Sequence, residues 1–301
     1  MFNLKKILGP NIRGKLMYGL SFLPDKIYLQ LFYFATTGKF INFRNPKGYN
    51  EKLQWLKVNN KKPEYSKLVD KLAVRDHIKE VLGEEYLFPL LGAWETFDDI
   101  DFSALPEQFV LKCNHDSGST KVIKSKSALS DDDMAELKAH FTQRLKHDFS
   151  RAGREYPYHG IKPYIIAEQM MIDNNKPETS IEDYKFFCFD GVPKVVLIVT
   201  DRSTDCRFDY FDMDFNHLDI IDHCPHSDKP INKPENFEEM KKIAADLSKG
   251  MKTVRMDLYE INNKIYFGEY TFFSGGGFDL YIQPEWERQM GDWIDLSDNN
   301  K

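Results

Sequence analysis

Apolar and polar positions follow two rhythms along this chain, and the order in which they alternate predicts an α+β protein. Residues 1–60 have helical spacing, broken at Gly9-Pro10, at Pro24 and at Asn45-Pro-Lys-Gly48. Leu68, Leu72, Val74, Ile78 and Val81 recur on one side of a helix predicted over 66–82. Gln108–Cys113 then reads as a strand, Asn114–Ser119 as a polar turn and Lys121–Lys124 as a second, short strand. Ser130, followed by three aspartates, predicts a capped helix across 131–147. Strands follow at 164–168, 183–189, 193–199 and 207–212, then a helix over 236–250, and the sheet they predict is mostly antiparallel. Residues 295–301 look frayed.

The last alternating stretch carries the most chemistry. Val254-Arg-Met-Asp-Leu258 and Phe267-Gly-Glu-Tyr-Thr271 flank a turn-like Glu260–Lys264 and so predict a hairpin. With the turn centred on Asn263, Asp257 and Glu269 become cross-strand partners, with Cβ atoms roughly 5 Å apart and Arg255 and Thr271 beside them. Two carboxylates so close repel unless a cation lies between them. Hard divalent ions such as Mg²⁺ take such oxygens and share their other positions with substrate phosphates. The alternative is a solvated face whose charge serves solubility.

At 301 residues and 42% hydrophobic content the chain can bury a full core. Four cysteines without paired spacing, no secretory signal and no apolar run of about 18 residues point to a reducing cytoplasm. The net charge of −6 is unevenly spread: residues 1–44 hold seven basic side chains against Asp25 alone, +6, leaving −12 for the remainder. This basic, aromatic segment could rest on an anionic membrane at its inner face or on a lipid-linked substrate, or could pack as a helical cap on the main domain. Nucleic acid is excluded as the main partner, because no basic stripe with interleaved aromatics runs through the acidic body.

Lys112, at the end of a strand that runs into Asp116-Ser-Gly-Ser119, can lay an ammonium beside an anion cradled by the backbone N–H groups of Ser117, Gly118 and Ser119. A plain turn between strands has the same composition. Lys185 lies inside an otherwise apolar strand, where a charge needs a ligand or a structural acid, and Arg202 is placed near it. Asp212 and Asp214 have the Asp-x-Asp look of a nucleotide-sugar glycosyltransferase, but stand where a strand turns. His223-Cys-Pro-His226 reads as a surface loop, since it lacks a second pair of ligands for zinc. His115 reads as hydrogen-bonded to its own turn, or as an acid/base group.

Four features in order resemble the ATP-grasp superfamily, in which two α+β lobes hold ATP between antiparallel sheets. Asp70-Lys-Leu-Ala-Val-Arg75 is similar to the helix start of D-alanine:D-alanine ligases, and Phe109–Asn114 with its Ser/Gly loop to the lysine strand and phosphate flap. Ile165–Ile172 is similar to the hinge that reads adenine, and the acidic hairpin to the Mg²⁺-binding end. Lys112–Gly118, Asp183–Gly191 and Gly268–Thr271 resemble the branch named for teichuronopeptide biosynthesis, found with capsule and surface-polysaccharide genes. Many relatives have Asn where this chain has Thr271.

The resemblance implies an ATP-grasp fold with an N-terminal helical cap: residues 1–60 as the cap, 61–163 as the first lobe and 164–301 as the second. It implies that Lys71 and Lys112 pair with phosphates, that Glu168 with the backbone of Gln169 and Met171 reads adenine, and that Asp173 meets the ribose. Asp257, Glu269 and Thr271 would hold Mg²⁺, and Arg255 would face the reacting centre, with Lys185 in the cleft. The expected activity is ATP-dependent ligation of an amine or amino acid to a carboxylate, such as a uronic acid of a surface polysaccharide, through an acyl phosphate. The competing readings are a glycosyltransferase using Asp212 and Asp214, and a membrane-docking scaffold.

Overall fold

A computed structural model describes residues 18–175, 181–202, 204–278 and 283–297. The predicted break at Gly9-Pro10 and the tail from 298 onward lie outside them.

Pro24 and Gly48 immediately precede the first two helices described in full, α1 (Asp25–Thr37) and α2 (Tyr49–Asn59). The helix expected over 66–82 is two helices, α3 (Tyr65–Val69) and α4 (Val74–Val81). Apolar spacing continues through the break, but Asp70 turns extended there and its Oδ1 accepts the N–H groups of Leu72 and Ala73. That side chain competes for the backbone as aspartate does at a helix start.

A four-stranded sheet follows, built from β1 (Leu90–Trp94), β2 (Phe109–Cys113), β3 (Lys121–Ile123) and β4 (Ile165–Gln169), in the order β1-β4-β2-β3. Every pair in it is antiparallel. Phe109, Leu111 and Cys113 alternate onto one face, where Leu137 and Phe141 of α5 (Asp131–Leu145) bury them. Ser130 caps α5 reciprocally with Asp133, as the sequence predicts. Because the period is two, Lys112 lies on the opposite face of the sheet.

After the short α6 (Phe149–Gly153) and β4 the chain enters a six-stranded antiparallel sheet. Its strands are β5 (Asp183–Phe189), β6 (Val192–Thr200), β7 (Arg207–Phe211), β8 (His217–Leu218), β9 (Thr253–Ile261) and β10 (Lys264–Thr271), in the order β10-β9-β5-β6-β7-β8. Phe237, Met240, Ile243, Ala244 and Leu247 of α7 (Phe237–Ser248) cover one face. Tyr49 of α2 meets Phe187 and Phe189 on the other, so β5 is buried on both faces.

The helical cap is fastened to the body. Gln54 and Lys57 donate to carbonyls of the Gly276–Gly277 turn, Lys57 also to that of Gly153, and Tyr28, Leu29, Phe32 and Tyr33 pack with Ile41 and Phe278. α8 (Pro284–Asp292), absent from the sequence prediction, packs on α2 through Glu287, which accepts from the Asn50 backbone and side chain. The outer side of the cap leaves Phe22, Ile27, Leu31, Phe34 and Phe40 exposed. Among the described residues no helix is long and apolar enough to cross a membrane.

Candidate active site

The hairpin β9–β10 turns on Asn262 and Asn263, both at positive φ (53° and 60°), the two-residue geometry that suits the right-handed twist of paired strands. Its midpoint lies between the two asparagines, half a residue from the expected centre. Extrapolated, that register would set Gly268 opposite Asp257. A bulge intervenes: Leu258 pairs with Phe267, but Asp257 pairs with Glu269 and Arg255 with Thr271. The carboxylate pair predicted from the sequence thus forms, by way of one extra residue in β10.

Asp257 is buried in a network of cations. Arg255 Nε lies 2.7 Å from its Oδ1 and Arg255 Nη2 2.7 Å from its Oδ2, a two-pronged pair. Lys185 Nζ is 2.5 Å from the same Oδ2 and 2.6 Å from Asp183 Oδ2, which also meets Arg202 Nη1 at 3.1 Å. The structure therefore pairs Lys185 with two acids. Burial pushes the Asp257 carboxyl upward, but Arg255 and Lys185 outweigh it and hold the pKa below the ordinary value. Asp183 goes the other way: burial dominates and raises it, and its Oδ1 has no hydrogen-bond partner.

Arg255 is oriented by two hydroxyls, Thr271 Oγ1 at 3.1 Å from Nη2 and Ser274 Oγ at 3.1 Å from Nη1. Glu269 is held more loosely, with Thr271 Oγ1 at 3.4 Å, Lys71 Nζ at 3.7 Å and Arg255 Nη2 at 3.8 Å. Its side chain is 32% exposed, against 2% for Asp257. Tyr158 faces the same charges: burial first, then Glu269 and Glu155, push its pKa well above the ordinary value and keep it a phenol.

The four-stranded sheet supplies the other wall. Lys112 Nζ lies 2.6 Å from Glu168 Oε2, and Arg75 Nη1 3.6 Å from Oε1 of the same carboxylate. The loop after β2 is tied at both ends. Asn114 donates to Asp70 and accepts from the Tyr164 N–H, and Arg144 of α5 holds Asp116 Oδ2 and the Ser117 carbonyl. Ser119 turns its hydroxyl inward, accepting from Cys113 N–H and donating to Asp116, so its side chain is unavailable to a ligand. Ser117 and Gly118 are exposed, and Gly118 sits at φ 86° with open space around it. Lys71 joins the two walls: its Nζ donates to the Asp116 carbonyl at 2.6 Å and faces Glu269.

The remaining predicted residues fall into two groups. Gln169 closes β4 with its N–H on the Pro89 carbonyl and its side chain exposed, and Met171 follows at partial exposure. Asp173 is drawn to the hairpin tip, where its Oδ1 accepts the N–H groups of Asn175 and Asn262. His115 is buried with neither ring nitrogen in a well-formed hydrogen bond, so the expected turn contact is not made; burial lowers its pKa. Asp212 caps its own turn, accepting from Asp214 N–H and from the Asn216 backbone and side chain, as a turn residue does. Asp183, Ser274 and Tyr158 escaped the sequence prediction. Asp183 had a readable signal, standing two residues before Lys185 on the same strand face.

The oxygen donors Asp257, Glu269 and Thr271 fit a hard cation in kind. Asp257 Oδ2 already receives two donors, whereas Oδ1 receives one and keeps a lone-pair direction.

Two antiparallel sheets with N-terminal helices, one sheet carrying a lysine strand and the other an acidic hairpin, define an α+β protein of ATP-grasp type. Residues 51–295 match the family described as TupA-like ATPgrasp, and the chain belongs to that family. Solved structures similar to it include a D-alanine–D-alanine ligase from Bacillus anthracis, at 15% identity and a TM-score of 0.44, over 82% of this chain and 69% of that one. The ATP-grasp ligase PsnB complexed with a minimal precursor follows at 13% and 0.43, over 84% and 68%. A D-alanine–D-alanine ligase from Helicobacter pylori matches at 13% and 0.39, over 95% and 70%. Among curated proteins no sequence match was found.

Proposed function

We propose that this protein is an ATP- and Mg²⁺-dependent ligase that joins an amine to a carboxylate through an acyl phosphate. The observation that carries the reading is Lys71, within 2.6 Å of the phosphate-loop carbonyl of Asp116 and 3.7 Å of Glu269, which in turn opposes Asp257 across the hairpin. A nucleotide triphosphate is a ligand that needs cations from a loop and carboxylate-held metal at one place.

In this reading Lys71 and Lys112 pair with phosphate oxygens, and the backbone N–H groups of Ser117, Gly118 and Ser119 close over them. Glu168 and the backbone of Gln169 and Met171 read adenine, and Asp173 lies toward the ribose. Asp257, Glu269 and Thr271 hold Mg²⁺, which when bound offsets charge on the phosphates. The acceptor carboxylate oxygen attacks the γ-phosphorus and ADP leaves, giving an acyl phosphate. The amine then attacks the carbonyl carbon, and the tetrahedral oxyanion collapses with loss of phosphate and of the amine proton. Arg255, fixed by Thr271 and Ser274, is a preorganised donor for that oxyanion; loss of one such donor costs on the order of 3 kcal/mol in the transition state. Lys185 serves the reaction by joining Arg255 in keeping Asp257 ionised.

By analogy with the family branch, the carboxylate belongs to a uronic acid of a surface polysaccharide or its lipid-linked precursor, and the amine to an amino acid or amino sugar. The exposed Phe22, Ile27, Leu31, Phe34 and Phe40, together with Lys26 and Lys39, support contact with an anionic membrane surface on the cap. The test of the chemistry is trapping with hydroxylamine, which converts an acyl phosphate to a hydroxamate. ATP-dependent hydroxamate from a uronic acid is the expected product; ADP release without any hydroxamate contradicts the acyl phosphate.

A further inference from the structure

The six-stranded sheet ends, on the side away from the acidic hairpin, in a group of ligand-type residues that the proposed reaction does not use. β7 and β9 are three strand positions apart, roughly 15 Å. Asp209 on β7, His217 on β8 and His226 in the segment beyond bring one carboxylate oxygen and one ring nitrogen each within 4.8 Å of one another. His217 Nε2 lies 3.0 Å and His226 Nδ1 3.6 Å from Asp209 Oδ1, and the two rings are 4.8 Å apart.

A hydrogen bond at the edge of the group sets the tautomer of His226. His226 Nδ1 lies 2.9 Å from the Phe208 carbonyl, which can only accept, so Nδ1 carries the proton. In the neutral ring Nε2 then holds the lone pair, and that atom is buried without a hydrogen-bond partner. A histidine that donates one ring N–H to a backbone carbonyl and keeps the other nitrogen bare is oriented as metal-bound histidines are. Asp219 Oδ1 stands 3.7 Å from this Nε2 on a side chain that is largely exposed and able to move. Asp209 is buried, and its second oxygen is anchored by the Ser227 N–H. Arg207 on the same strand is turned to Asp205 and Asp228.

We propose that Asp209, His217 and His226 bind a zinc ion, with Asp219 as fourth ligand. Imidazole and carboxylate donors suit Zn²⁺, which takes four ligands at about 2.0–2.2 Å, a geometry that sets ligand atoms roughly 3.3 Å apart. Asp209 Oδ1 and His217 Nε2, 3.0 Å apart, are close to that spacing, and the three residues offer ligand atoms within 4.8 Å of one another. The ion has a structural purpose: residues 219–236 run without helix or strand between β8 and α7, far beyond the usual ~4–6 residue connection, and the ion fastens this segment to the sheet edge. The ligand pair that His223-Cys-Pro-His226 lacks in sequence comes from Asp209 and His217; His223 itself turns to Asp222.

The chelator-treated 301-residue chain titrated with Co²⁺, a visible-absorbing stand-in for Zn²⁺, tests the site. The expected result is one equivalent bound with the intense visible absorption of tetrahedral Co²⁺, displaced by Zn²⁺, in both wild type and Glu269→Gln. His217→Ala and His226→Ala should each weaken binding at least tenfold. Absence of tetrahedral absorption in wild type, an unchanged spectrum and affinity in both histidine variants, or loss of the signal in Glu269→Gln would overturn the proposal.

Discussion

Asp257 and Glu269 face each other because Gly268 is one residue more than the hairpin needs. The Asn262-Asn263 turn alone would set the glycine opposite Asp257; the bulge shifts the register by one and brings the second carboxylate into place. A Cβ added at Gly268 would lie 2.8 Å from the Asp257 carbonyl oxygen, a backbone atom that cannot step aside.

Gly268→Ala should therefore force the strands apart or undo the bulge. The expected cost is about 1–3 kcal/mol in stability, with at least a tenfold loss of ATP–Mg²⁺ affinity as the acids fall out of register. Denaturant unfolding and nucleotide titration of the variant check both; unchanged values would mean the bulge does not set the site.

Lys185 neutralises two buried acids at once. Lys185→Met should cost about 3–5 kcal/mol, a fall of roughly 5–8 °C in Tm, because Asp183 and Asp257 are left short of a cation. Adding Asp183→Asn should recover part of the loss. A double variant less stable than Lys185→Met would contradict the assignment of Asp183 as the acid that depends on this lysine.

Glu287 gives a pH dependence with a definite sign. Burial raises its carboxyl to about 7, against the opposing hydrogen bonds from Asn50. Between about 4.5 and 7 the folded protein keeps a proton that the unfolded chain has released, so this group's contribution falls as pH rises through that window and is constant outside it. Glu287→Gln should lack the slope. The difference in unfolding free energy between variant and wild type should move by no more than about 3 kcal/mol from pH 4.5 to pH 7.5, in favour of the variant at the higher pH. A pH-independent difference would remove Glu287 as the source.

The exposed side of the cap is testable without disturbing its packing. Tyr28, Leu29, Phe32 and Tyr33 bury the inner side of α1, so removing residues 1–44 would damage the fold as well as the surface. Phe22→Ser combined with Leu31→Ser touches exposed positions only. That pair should weaken binding to vesicles containing anionic lipid at least tenfold with Tm nearly unchanged. Wild type that binds such vesicles no better than neutral ones would end the membrane reading.

What could be read from the sequence depended on how local its cause was. The Asp257–Glu269 pairing was legible because two alternating stretches and a short turn lie within twenty residues. Even so, the predicted turn centre was half a residue off, and the Gly268 bulge compensated. The break at Asp70 was hidden because apolar spacing continues from Leu68 to Ile78, and a side-chain cap leaves no trace in that pattern. β1 escaped because Leu90-Leu-Gly-Ala-Trp94 neither alternates nor carries β-branched residues. The Asp257 partner of Lys185 depends on the pairing of β5 with β9, more than 70 residues apart, and the group of Asp209, His217 and His226 depends on three separate segments. Periodicity reports faces, and long-range pairing decides which faces meet.

The most direct test is thermal unfolding of wild type and Glu269→Gln with and without ATP and Mg²⁺. Glu269 suits this better than Asp257, whose buried ion pairs would confound the baseline. Nucleotide at ~100 times its dissociation constant adds about 2.7 kcal/mol, a rise of roughly 4 °C in a chain of this length. The account predicts that rise in wild type, dependent on Mg²⁺, and its loss in Glu269→Gln. No rise in wild type, or an equal rise in both proteins, would contradict it.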